Sequence, residues 1–166
     1  MAEEKIRLKS GQGTIFECSI ESLKHSSLIS NMISACTGSD TNEILELNAI
    51  TTNILKLVVE WCNHHKTDCF DQSIIDSRSS KISPNEIEPL TSWDENFLKL
   101  EQSTLMELIL AADYLMIEPL KDMCCKVVAS WIPGKSPDQL RKLFNIVNDF
   151  DPKEEEKIQL ENMWCS

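Results

Sequence analysis

The chain has 166 residues, of which 42% are hydrophobic, and a formal net charge of −11. That length holds one domain, or one domain with an appendage, and the apolar share is enough for a core. The excess of acid excludes the basic face that nucleic-acid phosphates or an anionic membrane surface require, and four glycines leave no room for long phosphate-cradling loops.

The start, Met1-Ala2-Glu3-Glu4-Lys5, carries no apolar leader, and no apolar run approaches the length of a membrane span. Seven cysteines, an odd number without a secretion signal, are expected as reduced thiols in a cytoplasmic or nuclear protein.

Lys5-Ile6-Arg7-Leu8-Lys9 alternates strictly, as a half-buried strand does. Ser10-Gly11-Gln12-Gly13 is a turn, and Thr14-Ile15-Phe16-Glu17-Cys18 is the return strand of a hairpin. Ser19 to Lys24 suits a short helix; Ser26 or Ser27 caps a second, with Leu28, Ile29, Met32 and Ile33 on one side. Residues 37–42 form a polar loop, and Glu43-Ile44-Leu45-Glu46-Leu47 a short third strand. Thr51 to His65 is a helix. Ile54, Val58, Trp61, Cys62 and His65 share one face, while Leu55 and Val59 give a second apolar strip. A three-stranded sheet carrying several helices predicts an α+β domain. From Lys66 to Ser92 the periodicity disappears and a long loop is expected; Trp93-Asp94-Glu95-Asn96-Phe97-Leu98 restarts order, with Trp93 and Phe97 as anchors.

The stretch from Ser103 to Leu120 is the most apolar helix. Thr104 and Glu107 have the spacing of a capping box. Behind it, Leu105, Leu108, Ile109, Ala112, Leu115 and Met116 form one face. Met106, Leu110, Tyr114 and Ile117 form a second, with Asp113 beside it. Glu107, Ala111 and Glu118 are left for solvent, and Pro119 is expected to stop the helix. So wide an apolar surface needs cover on several sides, either from the rest of a core or from another protein.

Leu120 to Ile132 reads as a further helix, with Leu120, Met123, Cys124, Val127, Val128 and Trp131 apolar, broken by Pro133-Gly134-Lys135. Ser136-Pro137-Asp138-Gln139 and Asp151-Pro152-Lys153-Glu154 each place a cap residue, a proline at the first helical position and Gln or Glu at the third. The first of these helices ends near Leu143; the second runs toward Trp164 and carries Ile158, Leu160, Met163 and Trp164. The linker Phe144-Asn145-Ile146-Val147-Asn148-Asp149-Phe150 is richer in large apolar groups than a solvated loop should be. Each such side chain gains roughly 1.5–3 kcal/mol on burial, so the segment either folds back on the domain or forms a surface for a partner.

The cluster Cys62, His64, His65 and Cys69 is the only metal-like grouping, and its spacing matches no common zinc pattern; a core Cys62 with solvent-exposed imidazoles is the expectation. Cys124 and Cys125 are adjacent and point in different directions on a helix, as small apolar residues. Asp113, the one carboxylate among apolar neighbours, reads as a helix-surface acid at the edge of an interface. No motif places a base or an oxyanion hole beside any cysteine, so no catalytic residue, metal or cofactor is expected.

Trp61-Cys62-Asn63-His64-His65-Lys66, the Leu-Ile-Leu-Ala-Ala-Asp-Tyr-Leu run ending at Leu115, Phe144 to Phe150, and Glu161-Asn162-Met163-Trp164-Cys165 together resemble the S-phase-kinase-associated (Skp) adaptor family of SCF ubiquitin ligases. The likeness runs from Ile6 to Cys165 in the family's order. It implies a BTB/POZ fold made of residues 1–65 and 93–118, with 66–92 a flexible loop insertion and 119–166 an F-box-binding helical extension. It implies an adaptor linking a cullin scaffold to F-box proteins, acting in ubiquitin-dependent degradation in cytoplasm and nucleus. Position by position, it places F-box contacts on Met106, Leu120, Cys125, Val128, Phe144, Ile146, Asn148 and Trp164, and cullin contacts on Asp113 and Tyr114.

Three departures from the family pattern suggest a divergent paralogue with its own partners. Asp113 stands where the family usually has asparagine: an acceptor-only group that weakens contact with a carbonyl and strengthens contact with a lysine or arginine. Met106 replaces a usual phenylalanine, and residues 66–92 lack the usual acidic, proline-rich character. Left empty, the cullin strip is also the expected surface for a weak homodimer. An elongin-C-like adaptor of a different cullin complex is the alternative; such a chain would end near Pro119, against the two strong helix starts beyond it. An enzyme with a cysteine nucleophile is the remaining reading, recognisable by one thiol far more reactive than the others.

Overall fold

Strand β1 (Lys5–Ser10) is the middle of a three-stranded sheet of order β2-β1-β3. β2 (Ile15–Ser19) pairs with it antiparallel, setting Ile6 opposite Cys18 and Leu8 opposite Phe16. β3 (Ile44–Leu47) pairs on the other side in parallel, setting Leu8 opposite Leu45 and Ser10 opposite Leu47. The alternation seen in the sequence is the alternation of burial: Ile6, Leu8, Ser10, Cys18, Leu45 and Leu47 all point inward. The hairpin turn abuts the turn after β3 closely enough that a Cβ on Gly11 would meet the Asn48 carbonyl oxygen at 2.4 Å, which is why glycine stands there.

This computed structural model describes residues 5–35, 44–68 and 90–162. The expected polar loop at 37–42, most of the expected loop at 66–92, and Cys36, Cys69, Met163, Trp164 and Cys165 lie outside the described residues. The chain forms two compact units, Met1–Val128 and Ala129–Ser166.

In the first unit the expected short helix is a 3₁₀ turn at Ser22–His25, followed by α1 (Ser27–Ala35). Ser26 opens α1 by accepting from the Ile29 N–H at 3.2 Å, and its hydroxyl donates to the Leu115 carbonyl at 2.6 Å. α2 (Thr52–His64) buries Ile54, Leu55, Val58, Trp61 and Cys62 and packs on α4 (Gln102–Tyr114). The short α3 (Ser92–Phe97) lies between them in sequence, its start fixed by Thr91, which accepts from the Asp94 N–H at 3.2 Å.

The start of α4 departs from the expectation. Glu101, extended, is its cap residue, and the Leu105 N–H already donates to the Glu101 carbonyl, so Thr104 lies inside the first turn and makes no capping box. Ala111, expected in solvent, is buried beside Leu108 and Ala112. Pro119 does not end this helix either. Met116, in the left-handed conformation at φ 54°, ends it, with the Ile117 N–H donating back to the Ala112 carbonyl at 2.8 Å. That twist turns Met116 outward, away from the face it shares by spacing with Leu105 and Leu108. Pro119 instead sits in the first turn of α5 (Glu118–Ser130), where a missing N–H is harmless.

The end of α2 holds the largest correction. His65, which spacing puts on the apolar face of α2 but whose imidazole was expected in solvent, is buried, with Nδ1 2.6 Å from Asp68 Oδ2 and Nε2 2.9 Å from Asp94 Oδ1. Asp94 is fully buried, and its second oxygen accepts from the Thr91 hydroxyl at 2.6 Å. Rings close the cluster: Trp61 lies against His65 at 4.4 Å, and His64 stacks on Trp93, which stacks on Phe97. Asp68 is open to water, and the hydrogen bond from His65 holds its carboxyl below the usual carboxylate range.

Removing His65 leaves Asp94 buried without its ring partner. His65→Ala is therefore expected to lower the unfolding free energy by about 3 kcal/mol in urea titration, against at most about 1 kcal/mol for Asp68→Asn, whose water-exposed carboxylate makes a weaker pair.

Candidate functional site

α4 is covered on one side only. Leu105, Leu108, Ala112 and Leu115 are buried, whereas Leu110 is 70% exposed and Tyr114 and Met116 stand in solvent. Leu110 and Tyr114 are four residues apart and so lie one above the other, with Glu107 one turn before Leu110 and Asp113 beside Tyr114. Asp113 is exposed and paired with Lys121 of α5, whose Nζ lies 3.2 Å from Asp113 Oδ1 and 2.7 Å from Glu118 Oε2. Those two carboxylates, Glu118 first, raise the Lys121 ammonium above its usual range.

The other residues assigned to this unit divide. Met106 is half-buried on α4, Cys125 is exposed and Val128 half-buried on α5. Leu120 is fully buried with Cys124, so it shapes α5 from within. Adjacent Cys124 and Cys125 do face opposite ways, one inside and one in solvent.

The second unit contains α6 (Pro137–Phe144) and α7 (Pro152–Glu161). Both begin where the sequence signals place them. Ser136 accepts from the Gln139 N–H while the Gln139 side chain accepts from the Ser136 N–H at 2.9 Å; Glu154 accepts from the Asp151 N–H at 3.4 Å. α6 ends one residue beyond Leu143, with Asn145 left-handed at φ 54° and the Ile146 N–H donating to the Arg141 carbonyl. Phe144 is half-buried; Ile146 and Phe150 are exposed, and Val147 is 82% exposed. The linker is nonetheless shaped. The Asn148 amide donates to the Glu155 carboxylate at 3.3 Å, Arg141 reaches both Asp138 and Glu155, and its guanidinium lies over the Phe150 ring. Arg141, Lys142, Asn145, Ile146, Val147 and Asn148 line a shallow groove beside it.

Sequence reasoning missed Lys121, Arg141 and Glu155. The i,i+3 spacing of Glu118 to Lys121 and Asp138 to Arg141 was available as a signal; the longer links to Asp113, Glu155 and Asn148 were not. Trp164 lies outside the described residues. Among the described residues no group of three or more His, Cys, Asp or Glu side chains is arranged to hold a metal ion, and no helix is long and apolar enough to cross a membrane.

A small three-stranded sheet with helices packed on it is an α+β arrangement of the BTB/POZ type. Residues 4–67 match the Skp1 family, tetramerisation domain, and residues 118–165 match the Skp1 family, dimerisation domain. A "Skp1-related protein" of Caenorhabditis elegans is 41% identical over 167 residues, covering 98% of this chain and 92% of its own. An "E3 ubiquitin ligase complex SCF subunit sconC" of the fungus Arthroderma otae is 40% identical over 166 residues, covering 99% of this chain and 96% of its own. The chain belongs to the Skp1 family.

Burial pushes the thiols of Cys18, Cys62 and Cys124 up from 9.0 to about 11, 12 and 12; burial also raises the thiol of Cys125, which is exposed. With Cys36, Cys69 and Cys165 replaced by serine, a thiol reagent at neutral pH is expected to label Cys125 and to leave the other three until denaturant is added. The raised thiols also set a pH window. Their contribution to stability is intact below pH 9, where unfolded thiols keep their protons, and falls as pH rises from 9 through 11 and 12. Urea midpoints measured from pH 8 upward check this.

Proposed function

We propose that this chain is a non-catalytic adaptor subunit of an SCF-type E3 ubiquitin ligase, joining a cullin scaffold to F-box substrate receptors. One observation carries the reading: each compact unit, taken by itself, presents large apolar side chains to solvent, Leu110 and Tyr114 on the first, Ile146, Val147 and Phe150 on the second. Exposed apolar groups gathered on one face, as opposed to scattered singly, mark interaction sites. The kinship with a fungal protein named as an SCF complex subunit, over nearly the whole of both chains, supports the same assembly here.

In this reading the α4 strip, with Asp113 and Tyr114, receives the cullin. Met106, Cys125, Val128, Phe144, Ile146, Asn148 and Trp164 receive the F-box, and Leu120 holds α5 in shape for it. Work in cytoplasm and nucleus follows from that role. The dimerisation and tetramerisation in the family descriptions support self-association as well, through the same strip when no cullin occupies it. The elongin-C-like alternative is disfavoured by the match of residues 118–165.

Co-purification of the tagged chain from its own cells, with identification of the bound partners, tests the reading; recovery without any cullin or F-box chain would end it. At residue level, Phe144→Ala or Trp164→Ala is expected to weaken F-box binding by about 2 kcal/mol, as hot-spot aromatics do, with cullin binding unchanged. Tyr114→Ala is expected to do the reverse.

A further inference from the structure

We infer that the exposed strip of α4 takes a partner face carrying a basic side chain opposite Asp113, and that Lys121 stands in for that side chain while the strip is free. This rests on the proposed scaffold-binding role of the strip and names the chemistry of its partner.

The charges around the strip are lopsided. α4 from Gln102 to Tyr114 contains no lysine or arginine. Glu107 and Tyr114 are seven residues apart, so an acid stands on the same side as the exposed rings and branches; Asp113 flanks them and Glu118 follows at the start of α5. The cation among them is Lys121, and it is shared between Asp113 at 3.2 Å and Glu118 at 2.7 Å. One ammonium against two carboxylates leaves a net negative charge at the edge of Leu110 and Tyr114.

A partner that covers Leu110 and Tyr114 also strips water from Asp113. An ionised carboxylate without a matching charge loses more on desolvation than a neighbouring apolar contact returns. A carbonyl placed there sets acceptor against acceptor, since a carboxylate donates nothing. A lysine or arginine resolves both problems, and the acidic rim steers it in. Lys121 is suited to yield. Its pair with Glu118 is the shorter of the two, it lies within one helical turn, and it survives if the side chain leaves Asp113. The raised ammonium keeps its charge throughout this exchange.

Titration calorimetry of the full chain against purified cullins, at low and high salt, tests the inference. Asp113→Asn, an isosteric change at an exposed position, is expected to weaken binding about three- to tenfold at low salt, with the difference shrinking at high salt; Asp113→Lys is expected to weaken it further. Lys121→Met, which frees Asp113, is expected to tighten binding about two- to fivefold at low salt. Equal or tighter binding by Asp113→Asn overturns the basic partner, and no tightening by Lys121→Met overturns the stand-in role. Tyr114→Ala separates the two levels: if it loses affinity while Asp113→Asn does not, only the inference falls, and if it loses nothing, the scaffold-binding reading of the strip falls with it.

Discussion

α4 has more apolar circumference than its own unit covers, and the rest of the architecture follows from that excess. Its inner face is locked: Leu105, Leu108, Ala111, Ala112 and Leu115 are buried, and α2 packs on the helix. Its outer face cannot turn inward without pulling those residues out, because the two faces are fixed to each other by the helical repeat. Leu110 and Tyr114 therefore stay in solvent as a consequence of core packing. The polar groups beside them, Asp113 and Lys121, are paired with each other at 3.2 Å.

The His65 cluster gives the first unit its continuity. Between the end of α2 and the start of α3 the sequence loses its apolar rhythm. The end of α2 and the start of α3 meet through one polar contact, His65 to Asp94, and a stack of rings in which His64 lies on Trp93 and Trp93 on Phe97; Thr91 holds the second oxygen of Asp94. A buried carboxylate is tolerated only where its oxygens are answered, and both oxygens of Asp94 are. That requirement makes the closure specific in a way that apolar contact alone is not.

The sheet, the helices and the two proline-led starts were legible because each rests on a local repeat or a local cap. Alternation in Lys5 to Lys9 and the spacing of Ile54, Val58, Trp61 and Cys62 are written within a few residues. The Leu110 and Tyr114 part of the exposed strip of α4 was legible for the same reason, as the second apolar face of a helix, whereas Ile117, placed on that strip by spacing, is fully buried beyond the end of the helix. What escaped depends on groups far apart in sequence or on backbone conformations that residue type does not announce. His65 meets Asp94 across 29 positions, and Lys121 meets Asp113 across eight. Met116 adopts a left-handed conformation usually left to glycine or asparagine, so the helix ends before Pro119, the residue that appeared to stop it. Thr104 shows the opposite error: a capping spacing can occur by chance one turn inside a helix that an extended Glu101 has already begun.

The second unit is built on another principle. None of the residues of α6 is buried, and the described part of the unit carries its large apolar groups mostly outside. Its shape comes from reciprocal capping at Ser136, from Arg141 bridging Asp138 and Glu155, and from Asn148 tied to Glu155. Each such exposed polar link is worth on the order of 1 kcal/mol or less, which is enough to bias a conformation and too little to make it rigid. Burial of Ile146, Val147 and Phe150 against a partner would add the apolar term the unit lacks. The linker is thus pre-shaped by polar contacts, so a partner docking there as proposed would not have to organise the backbone from a disordered start, and less of the contact energy would be lost to ordering.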